Sequence, residues 1–118
     1  MAFLSGAYGP SDTQIAGGFF DGSDWRNGTP ITLPLNEWHQ IVTTWDGTNI
    51  KTYFDSILNS TVNYAGYVSS SSGNYMRIGQ RWDLSSFIQG EIGELLVYSR
   101  AITAEEVSNN YGISQPNF

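Results

Sequence analysis

The alternation of apolar and polar positions predicts short β-strands along most of the chain. WHQIVTTW at 38–45 is rich in β-branched and aromatic residues and ends at an Asp-Gly turn. NIKTYFD at 49–55 follows the hairpin turn. Its residues alternate between two faces, with Ile50, Thr52 and Phe54 on one and Lys51, Tyr53 and Asp55 on the other. This period of two is the one expected of a strand. The two segments therefore predict a β-hairpin.

Further strands are predicted on both sides of this hairpin. ILNSTVN at 57–63 follows it almost directly, and NYMRIG at 74–79 follows a Ser-rich loop. FIQGEIGELLVYS at 87–99 has the densest apolar content, so we expect it to cross the centre of a sheet. Residues 1–34 are rich in Gly, Ser and Asp around one apolar island at 15–20, which precedes Asp-Gly and Asn-Gly turn dipeptides. Strands at this spacing predict an antiparallel β-sandwich or jelly roll.

The end of the chain predicts one short helix. Thr103 is a natural N-cap, and Glu106 three residues later completes a capping box. Ile102 and Val107 stand at the two positions of a hydrophobic staple. Gly112 is expected to end the helix.

Composition limits the classes of protein to which the chain can belong. Its 118 residues make one domain, and 40% hydrophobic residues are enough for a core. A net charge of −6 with only five Lys and Arg argues against nucleic-acid binding. No apolar run approaches the length of a membrane span, and the first residues lack the features of a signal peptide. Without cysteine, disulfides and thiolate metal sites are excluded.

Four segments in the second part of the chain carry a resemblance to a known family. They read WHQIVTTWDG (38–47), YFDS (53–56), MRIG (76–79) and GEIGELLVYSRAITAEEV (90–107). In this order they resemble the concanavalin A-like, laminin-G-like jelly-roll domains, and the last segment is the most specific.

The resemblance implies an all-β antiparallel sandwich with one short C-terminal helix, forming a single domain over 1–118. Ser56 stands where the family has Gly, and Gly93 stands where it has Asp. The part before Trp38 is shorter than is usual for the family. The domain is therefore either a minimal version of the fold or one whose open sheet edge is covered by another chain.

Because related folds include glycoside hydrolases, catalysis has to be considered first. Such enzymes need two carboxyl groups on one face of a cleft. Glu91 and Glu94 are three residues apart on one predicted strand, so they point to opposite faces unless a bulge at Gly93 intervenes. The lone His39 has no nucleophile elbow to serve. We therefore expect that the protein is not an enzyme and that Glu94 and His39 have structural roles.

Two Trp-centred loops could recognise a sugar. Such recognition stacks an aromatic ring on the apolar face of a pyranose beside planar polar side chains. Trp38 and Trp45 lie in apolar strands and are expected to pack inside. The other two Trp residues either bind a ligand or fill an end of the sandwich and meet another subunit. The ligand candidates are Trp25, Arg26 and Asn27, following Asp24, and Gln80, Arg81, Trp82 and Asp83.

Calcium is the one cofactor that the sequence leaves open. Some laminin-G-like relatives hold Ca²⁺ in loops at one rim, and calcium takes oxygen ligands. Asp21 and Asp24, with Asn27 nearby, form the best local cluster. The alternative is that these residues only form turns.

Two functions follow from these observations. The first is a non-catalytic, lectin-like recognition or adhesion module that binds a glycan. The second is a structural assembly protein, such as a virion decoration, fibre or tail component, which contacts another protein subunit or forms a homo-oligomer. Both favour an extracellular or virion-surface location, and neither involves nucleic acid or membrane insertion.

Overall fold

The computed structural model describes residues 14–66 and 90–114, and Gln80, Arg81, Trp82, Asp83 and the strand predicted at 74–79 lie outside these ranges. Antiparallel strands in small sheets, followed by one C-terminal helix, make up the described part and agree with a concanavalin A-like β-sandwich. In chain order the elements are β1 (Gln14–Ile15), β2 (Gly18–Phe20), β3 (Trp25–Asn27), β4 (Ile31–Thr32), β5 (Ile41–Trp45), β6 (Asn49–Phe54), β7 (Ile57–Asn63) and α1 (Ala104–Ser114).

Strands β5, β6 and β7 form a three-stranded antiparallel sheet, which confirms the predicted hairpin and the strand after it. The first turn lies between Trp45 and its partner Ile50. Asp46 Oδ1 accepts hydrogen bonds from the backbone N–H groups of Thr48 (2.9 Å) and Asn49 (2.7 Å). Gly47 has a φ of 98°, which a residue without a Cβ adopts readily. Local turn chemistry therefore sets the register of this hairpin.

The turn between β6 and β7 has only two residues, because Phe54 pairs with Ile57. Asp55 and Ser56 have φ values of 47° and 70°. Positive φ at both central positions is the mark of a type I′ turn, for which Asn-Gly and Asp-Gly are the usual sequences. Ser56 thus takes the left-handed conformation that the Gly of related domains would adopt at lower free-energy cost.

The N-terminal strands form two short antiparallel pairs. β1 pairs with β4, with Ile15 opposite Ile31, and β2 pairs with β3. The N–H of Gly28 donates to the Gly17 carbonyl at 2.9 Å and joins the two pairs. The apolar island at 15–20 therefore supplies β1 and β2.

Two glycines let these strands lie directly on one face of the three-stranded sheet. A Cβ added at Gly17 would meet Thr43 Oγ1 at 1.8 Å, and one added at Gly28 would meet Thr52 Oγ1 at 2.4 Å. Thr43 and Thr52 are cross-strand partners on that face. The backbone can approach them this closely only because positions 17 and 28 lack a side chain.

The opposite face of the sheet is covered by the helix. Tyr53, Ile102 and Val107 form a buried cluster, with Val42 and Tyr98 packed against it. The capping box is present, since Thr103 Oγ1 accepts from the Glu106 N–H at 3.2 Å and Glu106 Oε1 accepts from the Thr103 N–H at 3.1 Å. Ile102 and Val107 are both buried, as the hydrophobic staple requires.

The helix nevertheless runs past its predicted end. It continues through Gly112 to Ser114, and Gly112 is not among the glycines with positive φ in the described residues. Ser114 is buried, and its hydroxyl donates to Glu94 Oε2 at 2.7 Å. This tertiary contact holds the last turn in place of a glycine C-cap. None of the helices in the described ranges is long and apolar enough to cross a membrane.

Two expectations about the apolar segments are wrong. Residues 90–99, the described part of the strand predicted at 87–99, are not assigned to a strand, and Ile92, Leu95, Leu96 and Val97 are exposed. A strand needs a partner at hydrogen-bonding distance, which a local pattern does not supply. Trp38, expected inside, is 44% exposed and lies against Gly93 at the surface.

Candidate functional site

The β2–β3 hairpin presents two exposed aromatic rings side by side. Phe20 and Trp25 are cross-strand partners at the end of the hairpin, next to its four-residue loop. Their ring centroids lie 5.6 Å apart, at an interplanar angle of 55°. Phe20 is 39% exposed and Trp25 is 45% exposed. We call these two residues the aromatic pair.

On its other face the hairpin is anchored by a polar cluster centred on Asp21. Asp21 Oδ2 accepts from Arg26 Nε at 2.7 Å and from the Tyr64 hydroxyl at 3.1 Å. Oδ1 accepts from the backbone N–H groups of Ser23 (2.8 Å) and Asp24 (2.7 Å). A single carboxylate therefore shapes the loop and ties it to a residue beyond β7. We call Asp21, Arg26 and Tyr64 the anchor.

Charge pairing stabilises the ionised form of this carboxylate. The Arg26 guanidinium, followed by the N–H groups of Asp24 and Ser23, holds the pKa of Asp21 well below its usual range. The Asp21 hydrogen bond raises the pKa of Arg26 in turn. The Arg26 guanidinium carbon also lies 5.0 Å from the centre of the Tyr64 ring, a cation–π distance. Asp21 and Arg26 thus remain charged across the ordinary pH range.

The buried Phe19 and two partly buried aromatic rings support this anchor from the side of the sheet. Phe19 packs against Trp45 at 5.0 Å and against Tyr64 at 5.5 Å between ring centroids. The indole N–H of Trp45 donates to the Tyr64 carbonyl at 3.1 Å. The aromatic pair is therefore displayed by a hairpin whose opposite face is fastened to the sheet.

The structure separates the first group of predicted ligand residues. Because side chains alternate along a strand, Trp25 and Asn27 of β3 share one face with Phe20, whereas Arg26 points to the opposite face with Asp21. Asn27 Oδ1 would lie 2.1 Å from a Cβ added at Gly18, so the Asn27 side chain lies over that glycine. Trp25 and Asn27 remain together as ligand candidates, and Arg26 serves the anchor.

The calcium candidates already have protein partners. All four hydrogen bonds described for the Asp21 carboxylate come from donors of the protein itself. Asp24 Oδ1 accepts from the Trp25 N–H at 2.9 Å. The Arg26 cation is within 2.7 Å of the Asp21 carboxylate, where a metal ion would have to replace it. Within 14–66 and 90–114 there is no group of three or more His, Asp or Glu that could hold a metal ion.

His39 belongs to a second polar cluster at the other end of β6. Its Nδ1 lies 2.8 Å from Asp55 Oδ2, and its Nε2 lies 3.1 Å from Glu37 Oε2. The ring also stacks on Phe54, with centroids 4.8 Å apart. Asp55 Oδ1 accepts from the Gln40 N–H at 2.9 Å, so these contacts fasten the β6–β7 turn to the start of β5.

Glu91 and Glu94 are both exposed, and Glu94 contacts the helix. The expected tie of Glu94 to a nearby turn is a tie to the last residue of α1, through the Ser114 hydroxyl.

Two residues of the site were missed from the sequence. Phe20 could have been found, because the Asp-Gly turn signal between Phe20 and Trp25 makes the two aromatics cross-strand neighbours. Tyr64 has no comparable signal, since 43 residues separate it from Asp21.

Comparison with known proteins agrees with this architecture. A family model described as the concanavalin A-like lectin/glucanases superfamily matches residues 4–108, and so begins well before Trp38, where the recognisable motifs start. No curated protein matches the chain. The crystal structure of an S-layer domain-containing protein from Clostridium thermocellum has a similar fold, with a TM-score of 0.52 and 15% identity, covering 83% of this chain and 51% of that chain. This chain thus spans about half of that structure. It is a member of the concanavalin A-like lectin/glucanase superfamily.

Proposed function

We propose that the domain is a non-catalytic recognition module that binds glycans at the aromatic pair. The observation that supports this proposal is the exposure of Phe20 and Trp25 side by side on an anchored hairpin, in a superfamily that includes lectins. Exposing two large rings opposes the hydrophobic effect, so a pair held at the surface is typical of a binding site.

The aromatic pair has the chemistry that a pyranose ring requires. The C–H groups on one face of a sugar pack on an aromatic ring, and its hydroxyls need polar partners at the edge. Asn27, two residues along β3 from Trp25, lies on the same face and carries an amide that both donates and accepts. Trp25 would supply the stacking surface, Phe20 would extend it, and Asn27 would bind a hydroxyl.

The anchor contributes by limiting motion before binding. Asp21, Arg26 and Tyr64 connect the hairpin to the sheet without using the face that carries the aromatic pair. A surface that is already ordered loses less conformational entropy when a ligand binds. Weak protein–sugar contacts benefit most from this preorganisation.

A glycan array followed by titration calorimetry tests the proposal, each with and without Ca²⁺. We expect Trp25→Ala to weaken sugar binding about tenfold or more, the loss expected when about 1.4 kcal/mol of stacking is removed. Trp38→Ala is the matched control, because Trp38 and Trp25 are almost equally exposed and only Trp25 belongs to the pair. Trp82→Ala tests the second predicted loop. Failure of the wild-type protein to bind any sugar, with or without Ca²⁺, would refute the proposal.

A second function, assembly with other protein subunits, is favoured by the edge of the three-stranded sheet. β7 has seven residues and none of them is charged, although the chain carries a net charge of −6. Ile57 and Leu58 are exposed, and within the described ranges β7 pairs only with β6. Edge strands are normally protected by charges or prolines. The irregularity opposite Thr52 and Tyr53 is the one protective feature on this edge.

The assembly function predicts a defined oligomer that depends on β7. Light scattering and native mass spectrometry would detect it, and Asn63→Lys, which places a charge on the edge, should shift it to monomer. Asn109→Lys is the control, because it makes the same substitution at an exposed position of α1, away from β7. A stable monomer that binds sugar would favour glycan recognition instead.

A further inference from the structure

We infer that the aromatic pair selects uncharged sugars over anionic ones, an inference that rests on the proposed glycan binding. It concerns the class of ligand and follows from the charges that surround the two rings.

The loop beside the aromatic pair is acidic. Asp24 is exposed and directly precedes Trp25, and its Oδ1 is held by the Trp25 N–H at 2.9 Å. This hydrogen bond holds the carboxylate against the backbone of Trp25, the residue whose indole ring forms the aromatic pair with Phe20. An anionic group on a sugar stacked upon Trp25 would therefore approach a negative charge, against a background net charge of −6.

The nearest cation in the described residues, Arg26, offsets this charge only in part, because one guanidinium faces the two carboxylates of Asp21 and Asp24. Arg26 points to the opposite face and forms a 2.7 Å ion pair with Asp21, which is buried. Arg100 forms a bidentate pair with Glu106 at the start of the helix. Lys51 shares its sheet face with Tyr53, the face that α1 covers. Proteins that bind carboxylated or sulfated sugars need an accessible Arg or Lys beside the sugar. The Arg26 side chain is 40% exposed, but it lies on the face of the hairpin opposite the aromatic pair.

The experiment compares matched neutral and charged sugars. An array would carry glucose, galactose and mannose oligosaccharides beside their 6-carboxylate counterparts, and N-acetylglucosamine oligosaccharides beside their 6-O-sulfates. We expect binding that depends on Trp25 to at least one neutral member, and binding at least about tenfold weaker to its charged counterpart. Adding salt should strengthen only the charged member, because screening reduces repulsion.

Asp24→Asn isolates the cause of this selectivity. The amide oxygen of Asn can still accept the Trp25 N–H, so the loop keeps its conformation while it loses one charge. Binding of the charged member should rise about two- to fivefold, and binding of the neutral member should change less than twofold.

The outcomes separate this inference from the proposed function. Equal or tighter Trp25-dependent binding of a charged member would overturn the selectivity and leave glycan binding intact. Unchanged discrimination in Asp24→Asn would overturn the electrostatic explanation. Absence of Trp25-dependent binding to every sugar would refute the proposed function itself.

Discussion

A Cβ at Gly28 offers a direct test of how the N-terminal strands pack on the sheet. The added atom would lie 2.4 Å from Thr52 Oγ1, whereas its next neighbours, Ile50 Cγ2 and the Gly17 carbonyl oxygen, are at 3.6 and 3.7 Å. Thr52 is fully buried and β-branched, so its side chain has little freedom to move away. Gly28→Ala must therefore displace the strand or strain the threonine.

The expected cost is that of overpacking a core, about 1–3 kcal/mol in the free energy of unfolding. This is a large part of the 5–15 kcal/mol typical of such domains, and it should lower Tm by about 4 °C per kcal/mol. Urea denaturation followed by tryptophan fluorescence measures the change.

The cause can be isolated with a second substitution. Thr52→Ala removes the atom at 2.4 Å, after which an alanine at position 28 meets only ordinary van der Waals contacts. Because Thr52 Oγ1 has no hydrogen-bond partner among the described residues, we expect its removal to break no hydrogen bond. We therefore expect Gly28→Ala to cost less than about 0.5 kcal/mol in the Thr52→Ala background, which gives a coupling energy of about 1–2 kcal/mol.

Gly112→Ala is the matched control for this cycle. In the part of the chain that the structure describes, nothing lies within 4 Å of a Cβ at Gly112, which is in α1. The same substitution should therefore stabilise the domain by up to about 1 kcal/mol through helix propensity. Additive effects of Gly28→Ala and Thr52→Ala, or a neutral Gly28→Ala, would show that the strands do not pack on Thr52 in this way.

Three further predictions concern the turn, the helix cap and the core. Ser56→Gly should raise the free energy of unfolding by about 0.5–1 kcal/mol, since Ser56 has a φ of 70°; a loss of stability in urea denaturation would contradict the type I′ assignment. The Arg100 side chain, followed by the Thr103 N–H, lowers the pKa of Glu106 from its usual 4.5 to about 2, so its stabilisation is complete above pH 4.5 and is lost as the pH falls toward 2. The Tm difference between wild type and Glu106→Gln should therefore shrink over this interval, and a constant difference would argue against the ion pair. Val107→Ala should cost about 2 kcal/mol because Val107 is fully buried, whereas Ile113→Ala at an exposed position of the same helix should be nearly neutral in the same assay.

Interactions between residues close in sequence were predicted well. The Asp-Gly turn, β6 and β7, and the cap formed by Thr103 and Glu106 all depend on neighbours within a few positions. Ile102 and Val107, predicted to form the hydrophobic staple, are both buried. The closing segment at 90–107 was also the strongest indication of the family.

Strand pairing and side-chain burial that depend on residues distant in sequence could not be predicted from local patterns. Residues 90–99 have the apolar content of a strand, but pairing depends on what lies beside them. Trp38 and Trp25 occur in very different local patterns and have almost the same exposure.

In the candidate site, too, some features could be predicted from local patterns and others depend on distant contacts. Local patterns were sufficient to predict the family, the order of the strands from β5 to β7, the start of the helix and Trp25 as a ligand candidate. Turn residues, alternation and caps act over a few positions. Three features are visible only in the folded chain: Arg26 turns away from Trp25 to Asp21, Phe20 completes the exposed surface, and Tyr64 closes the anchor. Such contacts depend on how separate strands pack in space, which no local pattern specifies.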